Sequence, residues 1–118
     1  MHPSEWPLYH YIGRVERVID GDTIRVTLSL GLRVFRSINL RIADIDTPEV
    51  FGARASEDGR IARDALTEYL GERTLYIETR RDKVSFDRYV GSLYVMDETG
   101  GLTNVADWLV DNGFAIEV

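Results

Sequence analysis

The pattern of apolar and polar residues predicts five short β-strands. Each run is rich in β-branched and aromatic residues, and several runs alternate with the period of two that is typical of a half-buried strand. Turn residues separate the runs, and Asp20-Gly21 predicts a tight turn because glycine tolerates positive φ. The predicted strands cover residues 9–19, 23–28, 34–45, 74–79 and 89–96.

A helical period replaces the strand pattern between the third and fourth strands. Ser56 is a suitable N-cap for this helix and is followed by acidic residues, and Gly71 is a suitable residue to end the helix. Gly59 costs a helix about 1 kcal/mol relative to alanine, so the first turn is expected to begin later. The predicted apolar stripe consists of Ile61, Ala62, Ala65, Leu66, Tyr69 and Leu70.

The remaining segments complete a mainly β chain with some α-helix. Residues 80–83 are expected to form a charged loop and residues 97–101 a turn. A short helix is predicted over residues 104–112, with Val105, Trp108 and Leu109 facing inward, and residues 114–118 are expected to be extended. Five strands with one longer helix between strands 3 and 4 and a short C-terminal helix predict a five-stranded Greek-key barrel of the OB type.

Length and composition narrow the class of protein. A chain of 118 residues is the size of one domain, spanning 1–118, with residues 1–8 expected to form a flexible lead-in. The absence of cysteine excludes disulfides and thiolate metal sites. The sequence shows no signal peptide and no apolar run of membrane-spanning length, which leaves the compartment unassigned.

The net charge of −6, with a pI near 4.8, weighs against binding nucleic acid through a broad basic surface. It leaves room for a small site in which a cation and a few arginines meet a phosphate. Charge interactions are screened beyond about 8 Å at physiological salt. The charges close to a bound phosphate therefore affect its binding more than the net charge does.

Residues 40–49 combine a guanidinium, several carboxylates and a hydroxyl at the end of a predicted strand. Within ten residues stand Arg41, three carboxylates (Asp44, Asp46 and Glu49) and Thr47. Oxygen ligands suit Ca²⁺, Mg²⁺ or Mn²⁺, a guanidinium fork suits phosphate, and a spare carboxylate can deprotonate water. The stretch therefore predicts a site for a hard metal ion and a phosphate.

Two more distant residues extend this set. Asp22 lies beside a turn, where it could share a cation with Asp46, and Arg88 could join Arg41 on a phosphate. Each residue taken alone also fits an ordinary role as a turn residue, loop carboxylate or surface ion pair. The same ordinary pairing is expected of Arg33, Arg36, Arg80 and Arg81.

One geometric condition accompanies this prediction. Arg41 and Asp46 are five residues apart, so they would face opposite sides of a regular strand. Both can line one site only if the chain bends or bulges between them.

Three motifs in this order resemble the staphylococcal nuclease, or thermonuclease, family. They are Ile-Asp-Gly-Asp-Thr at 19–23, Leu-Arg-Ile followed by Ile-Asp-Thr-Pro-Glu at 40–49, and Phe-Asp-Arg-Tyr-Val-Gly at 86–91. The resemblance covers about residues 9–116. It implies an OB-type nuclease domain, which agrees with the fold predicted from the pattern.

The resemblance also implies an activity. Members of the family hydrolyse phosphodiester bonds of DNA and RNA with Ca²⁺, show little sequence specificity and leave 3′-phosphate ends. A flexible or single-stranded substrate, a monomer and no membrane partner are expected, and family members are often secreted. Carried over to this chain, the metal ligands are Asp22, Asp46 and Thr47, the general base is Glu49, and the phosphate-binding, transition-state arginines are Arg41 and Arg88.

The sequence departs from the family pattern in several ways. Asp87 stands where the family usually has glycine, and a shifted alignment would place Gly91 at the arginine position. Asp44 stands where a small or apolar residue is more common, so it either adds charge near the metal or faces solvent. Long-form members of the family have a further helix and base-stacking tyrosines after the position that corresponds to Val118. The acidic pI leads us to expect weaker, more salt-sensitive binding of the substrate.

Two other classes remain open on sequence grounds. An OB-type barrel can bind nucleic acid or protein without cutting, using exposed aromatics for stacking. An acidic interaction or inhibitor protein would also fit the net charge.

Overall fold

The computed structural model describes residues 8–53, 55–85 and 88–118, with only the backbone described at 81–85. The lead-in predicted at 1–8 therefore lies outside the described residues except for Leu8, and so do Phe86 and Asp87 of the third motif.

Eight strands and two helices make up the regular structure of the described residues. The helices are α1, Glu57–Leu70, and α2, Val105–Asp111, and neither is long and apolar enough to cross a bilayer. The strands are β1 His10–Asp20, β2 Thr23–Ser29, β3 Phe35–Ile42, β4 Ile45–Asp46, β5 Leu75–Ser85, β6 Arg88–Met96, β7 Leu102–Asn104 and β8 Ile116–Glu117.

Five of these strands close into a barrel. β1 pairs antiparallel with β2 and β5, β2 pairs with β3, and β5 pairs with β6. The circle closes through a parallel pairing of β3 with β6, in which Asn39 lies opposite Arg88 and Ile42 opposite Gly91. The fold prediction is confirmed: the protein is mainly β, with an OB-type five-stranded barrel, a longer helix after the third barrel strand and a short C-terminal helix.

The core follows from the alternation in the strands. Every second residue of β2 and β3 is buried in one hydrophobic cluster, while the residues between them face outward. Leu66 and Leu70 of α1 join this cluster, and Tyr69 stacks on Trp108 of α2 with ring centroids 3.8 Å apart. The inward residues of β2 and β3 are Ile24, Val26, Leu28, Ile38, Leu40 and Ile42.

Two predicted boundaries were wrong. The third strand was expected to run over 34–45, but β3 ends at Ile42 and a turn at Ala43-Asp44 precedes β4. Asp44 has φ of 70°, a left-handed conformation that aspartate tolerates better than most residues. The charged loop expected at 80–83 is instead strand, since β5 runs to Ser85 and absorbs extra residues through a shift in its register with β6.

Two glycines act through close packing, which the sequence rules missed. Helix α1 starts at Glu57, not later, and Ser56 caps it by accepting a hydrogen bond from the Gly59 N–H at 3.1 Å. A Cβ at Gly59 would lie 2.0 Å from the Glu49 carbonyl oxygen. A Cβ at Gly21 would lie 2.9 Å from the Ala62 Cβ, and Gly21 is not among the residues with positive φ. Close approach of the helix to two loops therefore explains both glycines.

Replacing Gly59 with alanine tests this packing. Helix propensity alone would stabilise the variant by about 1 kcal/mol, but the new methyl group meets backbone and should cost about 3 kcal/mol. We predict that Gly59→Ala lowers the free energy of unfolding by about 2 kcal/mol, measured by urea denaturation. Glu68→Ala, at an exposed position of α1, is the control and should change it by less than about 0.5 kcal/mol. A stabilised Gly59→Ala protein would contradict the packing argument.

The turn at 97–101 predicts a pH dependence of stability. Hydrogen bonds from the Thr99 hydroxyl and N–H and from the Gly101 N–H hold the pKa of Asp97 below its ordinary value. A lowered folded-state pKa stabilises the fold above the unfolded value, near pH 4, and that stabilisation disappears as pH falls through the folded value. The urea midpoint of wild type should therefore exceed that of Asp97→Asn at pH 6, and the gap should close toward pH 2. A gap that is constant with pH would rule out the charge as its cause.

Candidate active site

The break between β3 and β4 brings Arg41 and Asp46 together. Nη2 of Arg41 lies 3.5 Å from Oδ1 of Asp46 and 3.4 Å from Oδ2 of Asp22. The bend that the odd spacing requires is thus present at Ala43-Asp44. Two carboxylates that are distant in sequence converge on one guanidinium group.

Asp22 is the anchored member of this group. Its side chain is 10% exposed, against 58% for Asp46. Oδ1 accepts a hydrogen bond from the Thr23 hydroxyl and Oδ2 accepts one from the Thr47 N–H, both at 3.1 Å. Its backbone carbonyl accepts from the Ile42 N–H at 2.8 Å, so one residue ties together the start of β2, the end of β3 and the loop after β4.

Thr47 supplies oxygen atoms beside the two carboxylates. The residue is 7% exposed, and its Oγ1 is buried without a hydrogen-bond partner among the described residues. Asp22, Asp46 and Thr47 offer oxygen donors only, which is the ligand set that Ca²⁺, Mg²⁺ and Mn²⁺ prefer. These residues fit a hard cation. Within the described part of the chain no three His, Cys, Asp or Glu residues cluster as a metal site, so such a cation would also need water ligands.

Glu49 is positioned through its backbone. Its carbonyl accepts a hydrogen bond from the Ser56 N–H at 3.0 Å and lies against Gly59. The next residue, Val50, donates its N–H to Asp20 Oδ1 at 3.1 Å. The loop is therefore fixed at both ends of the Glu49 peptide, while the residue itself is exposed to solvent. A carboxylate in this setting can reach a water molecule without being committed to a structural ion pair.

Arg88 shares the outer face of the barrel with Arg41. Arg88 lies opposite Asn39 and Arg41 lies opposite Val90, so the two arginines stand on one face of the β3–β6 pair. Gly91, the other candidate for the arginine position, is buried, and a Cβ there would lie 2.4 Å from the Glu78 carbonyl oxygen. Position 91 therefore has no room for a side chain, which leaves Arg88 as the arginine available on this strand.

The site residues thus fall into two groups. Arg41, Asp22, Asp46 and Thr47 form one connected cluster through direct contacts. Glu49 and Arg88 are placed nearby by their backbones, on the loop after Asp46 and on the strand next to Arg41.

Sequence reasoning missed a row of polar residues beside the cluster. The strand registers place Arg17 opposite Arg25, Arg25 opposite Asn39, and Asn39 opposite Arg88. The Arg25 guanidinium donates to Asn39 Oδ1 at 2.9 Å. The signal was available, because Arg25 alternates with buried residues and must face the same outer side as Arg41. We call these four residues the outer row.

One carboxylate interrupts this face. Glu16 lies 3.3 Å from Nε of Arg25 and accepts a hydrogen bond from the Ser37 hydroxyl. The Ser37 hydrogen bond is the main cause that lowers the pKa of Glu16, followed by contributions from Thr27 and Arg25. Glu16 therefore stays ionised at neutral pH and partly neutralises the outer row.

The arginines expected in ordinary pairs have separate surroundings. Nη2 of Arg80 lies 2.7 Å from Asp44 Oδ2, so the structure places the Asp44 carboxylate in an exposed ion pair. The Arg36 guanidinium lies over the Tyr89 ring, and Arg33 occupies the loop between β2 and β3. The side chain of Arg81 lies outside the described residues.

No protein-family model and no curated protein matches this chain.

Replacing Arg41 tests how much its guanidinium group stabilises the cluster. Arg41→Gln leaves the nearly buried Asp22 carboxylate without its cation and leaves two like charges close together. We predict a loss of roughly 1–2 kcal/mol in the free energy of unfolding. Arg80→Gln is the matched control, because its ion pair is shorter but far more exposed, and it should cost less than about 1 kcal/mol. Equal losses would show that burial of Asp22 does not strengthen the cluster.

Proposed function

We propose that this protein is a calcium-dependent nuclease that hydrolyses phosphodiester bonds of DNA and RNA. The observation that carries the proposal is the convergence of Arg41, Asp22, Asp46 and Thr47 at the strand break. This cluster joins oxygen donors for a hard cation to a guanidinium fork for a phosphate, which are the two requirements of metal-assisted phosphoryl chemistry.

Asp22, Asp46 and Thr47 would hold the cation. Ca²⁺ bound there would supply positive charge that polarises a phosphoryl oxygen. The hydrogen bonds of Asp22 to Thr23 and Thr47 fix its carboxylate in advance, so little reorganisation of the protein is needed.

Glu49 is the general base of the proposal. It would accept a proton from the attacking water, whose oxygen bonds to phosphorus. The P–O bond to the 5′ oxygen breaks, the departing oxygen takes a proton from solvent water, and the other fragment keeps a 3′-phosphate. Anchoring of the Glu49 backbone against Ser56 and Gly59 supports this role, because a base must be held near the reacting water.

Arg41 and Arg88 would stabilise the charge that develops on the phosphoryl oxygens. A guanidinium group stays charged at any working pH and donates two parallel hydrogen bonds to such oxygens. Nη1 of Arg41 donates to the Ile42 carbonyl at 2.8 Å, which orients the group. The register that puts Arg88 on the same outer face supports its part in the same event.

The substrate follows from what these groups recognise. They bind phosphate oxygens and sugar-linked oxygens, which all nucleic acids share, so specificity for sequence is expected to be low. A strand must present its phosphate to a cluster held at the barrel surface, which favours single-stranded or flexible regions. The net charge of −6 makes capture sensitive to salt.

The alternative is an OB-type module that binds nucleic acid without cutting it. The outer row favours it, since Arg17, Arg25 and Asn39 add phosphate-binding groups outside the catalytic cluster. An acidic protein-binding domain has less support, because such a function gives no reason for Arg41, Asp22 and Asp46 to converge.

Cleavage of a fluorescent single-stranded oligonucleotide tests the proposal. We expect cutting with Ca²⁺ and none with EDTA. Glu49→Gln should lower kcat by about 10²–10⁴-fold, the usual contribution of a general base, with little change in binding. Glu68→Gln, which removes an equal charge from the exposed face of α1, should cut like wild type.

The opposite results are equally informative. Binding of the oligonucleotide without cleavage would overturn the nuclease and favour the binding module. Cleavage by Glu49→Gln at the wild-type rate would remove Glu49 from the mechanism.

A further inference from the structure

A cavity lies directly beside the candidate site, and most of its wall consists of residues with no part in the chemistry above. Its volume is about 520 Å³, and Asp46 and Thr47 form part of its wall. The other walls come from α1 and from the segment Gly113 to Ile116. Cavities of this size commonly hold small organic ligands.

Apolar side chains line much of this cavity. Pro48, Ile61, Phe114 and Ile116 contribute to it. Ile61 belongs to the apolar stripe of α1 but is 48% exposed, and Ile116 is 66% exposed. Exposed isoleucines that converge on one cavity offer a surface for a flat, weakly polar ring. Ile61 belongs to the predicted apolar stripe, and the structure places it on the wall of this cavity and not in the core.

Two carboxylates give the cavity its polar character. Asp46 is already in contact with Arg41. Asp58, in the first turn of α1, is exposed and lies on the wall of the cavity. An ionised carboxylate only accepts hydrogen bonds, so a ligand that matches it presents N–H donors.

The geometry points to a nucleobase subsite that favours guanine, with Asp58 as the residue that determines the preference. The inference rests on the proposed function, because Asp46 both contacts Arg41 and lines the cavity, so a nucleotide whose phosphate binds Arg41 can place its base in the cavity. Guanine presents its ring N1–H and exocyclic amino group side by side, which matches the two oxygens of a carboxylate. Uracil and thymine present one N–H flanked by two carbonyl oxygens, which a carboxylate repels. Bases in single strands are commonly read through these edges.

Binding of mononucleotides tests the subsite without any cutting. Guanosine, inosine and uridine 5′-monophosphates carry the same phosphate, and inosine lacks only the exocyclic amino group. Amide NMR titrations in EDTA should show shifts at Ile61, Ala115 and Ile116. We expect the guanosine nucleotide to bind at least about fivefold more tightly than the uridine nucleotide, the lower end of the discrimination given by a bidentate contact. The inosine nucleotide should fall between them.

Substitutions then separate the base contact from general binding. Asp58→Asn should abolish the preference, whereas Glu57→Gln, which removes the neighbouring charge outside the cavity, should keep it. Ile116→Ser should weaken the binding of all three nucleotides by a similar factor. Circular dichroism checks that each variant is folded, and the wild-type titration decides the matter even if Asp58→Asn is unstable.

The experiments can contradict the proposed subsite and the proposed nuclease activity independently of each other. Equal affinities for guanosine and uridine nucleotides, or shifts confined to other residues, would overturn the subsite even in a protein that cuts nucleic acid. A guanosine preference that depends on Asp58, in a protein that does not cut, would support the subsite and overturn the nuclease.

Discussion

The burial of one carboxylate, that of Asp22, constrains the whole region of the site. A charged group that is removed from water must be compensated by hydrogen bonds and opposite charge. Asp22 obtains these from Thr23, from the Thr47 backbone and from Arg41. Because the partners come from three separate segments, satisfying this single group fixes the relative positions of β2, β3 and the loop after β4.

Close packing of glycine provides the second constraint. Helix α1 approaches the Glu49 backbone at Gly59, and the β1–β2 turn approaches Thr47 and Ala62 at Gly21. Neither contact leaves space for a Cβ. The loop that carries Asp46, Thr47 and Glu49 is therefore held from both sides, which gives the candidate site a rigid support although two of its carboxylates face solvent.

Much of the fold was predictable because the inward residues of β2, β3 and β6 alternate strictly and the caps of α1 are strong local signals. What failed were features set by distant partners. The strand break at Ala43-Asp44 depends on an aspartate in a left-handed conformation, and the continuation of β5 through charged residues depends on its pairing with β6. Local propensity permits the left-handed aspartate but does not require it, and it carries no information on the pairing of β5 with β6.

The arrangement of the candidate site was predictable to a similar extent. Composition and order of the motifs identified Arg41, Asp22, Asp46 and Thr47, and the structure brings these four together. The outer row and the cavity beside Asp46 could not be derived in the same way, since both arise from the register of neighbouring strands and from the return of the C-terminal segment to β4.

The parallel pairing of β3 with β6 has a consequence for folding. It joins segments that are far apart in the chain, so closing it costs more chain entropy than pairing two consecutive strands. Arg41 and Arg88 come to share one face only through this pairing. A chain whose barrel opens locally at this seam would keep most of its secondary structure and lose the arginine pair. Hydrogen-exchange protection of the seam would then report the fraction of molecules competent for phosphate binding.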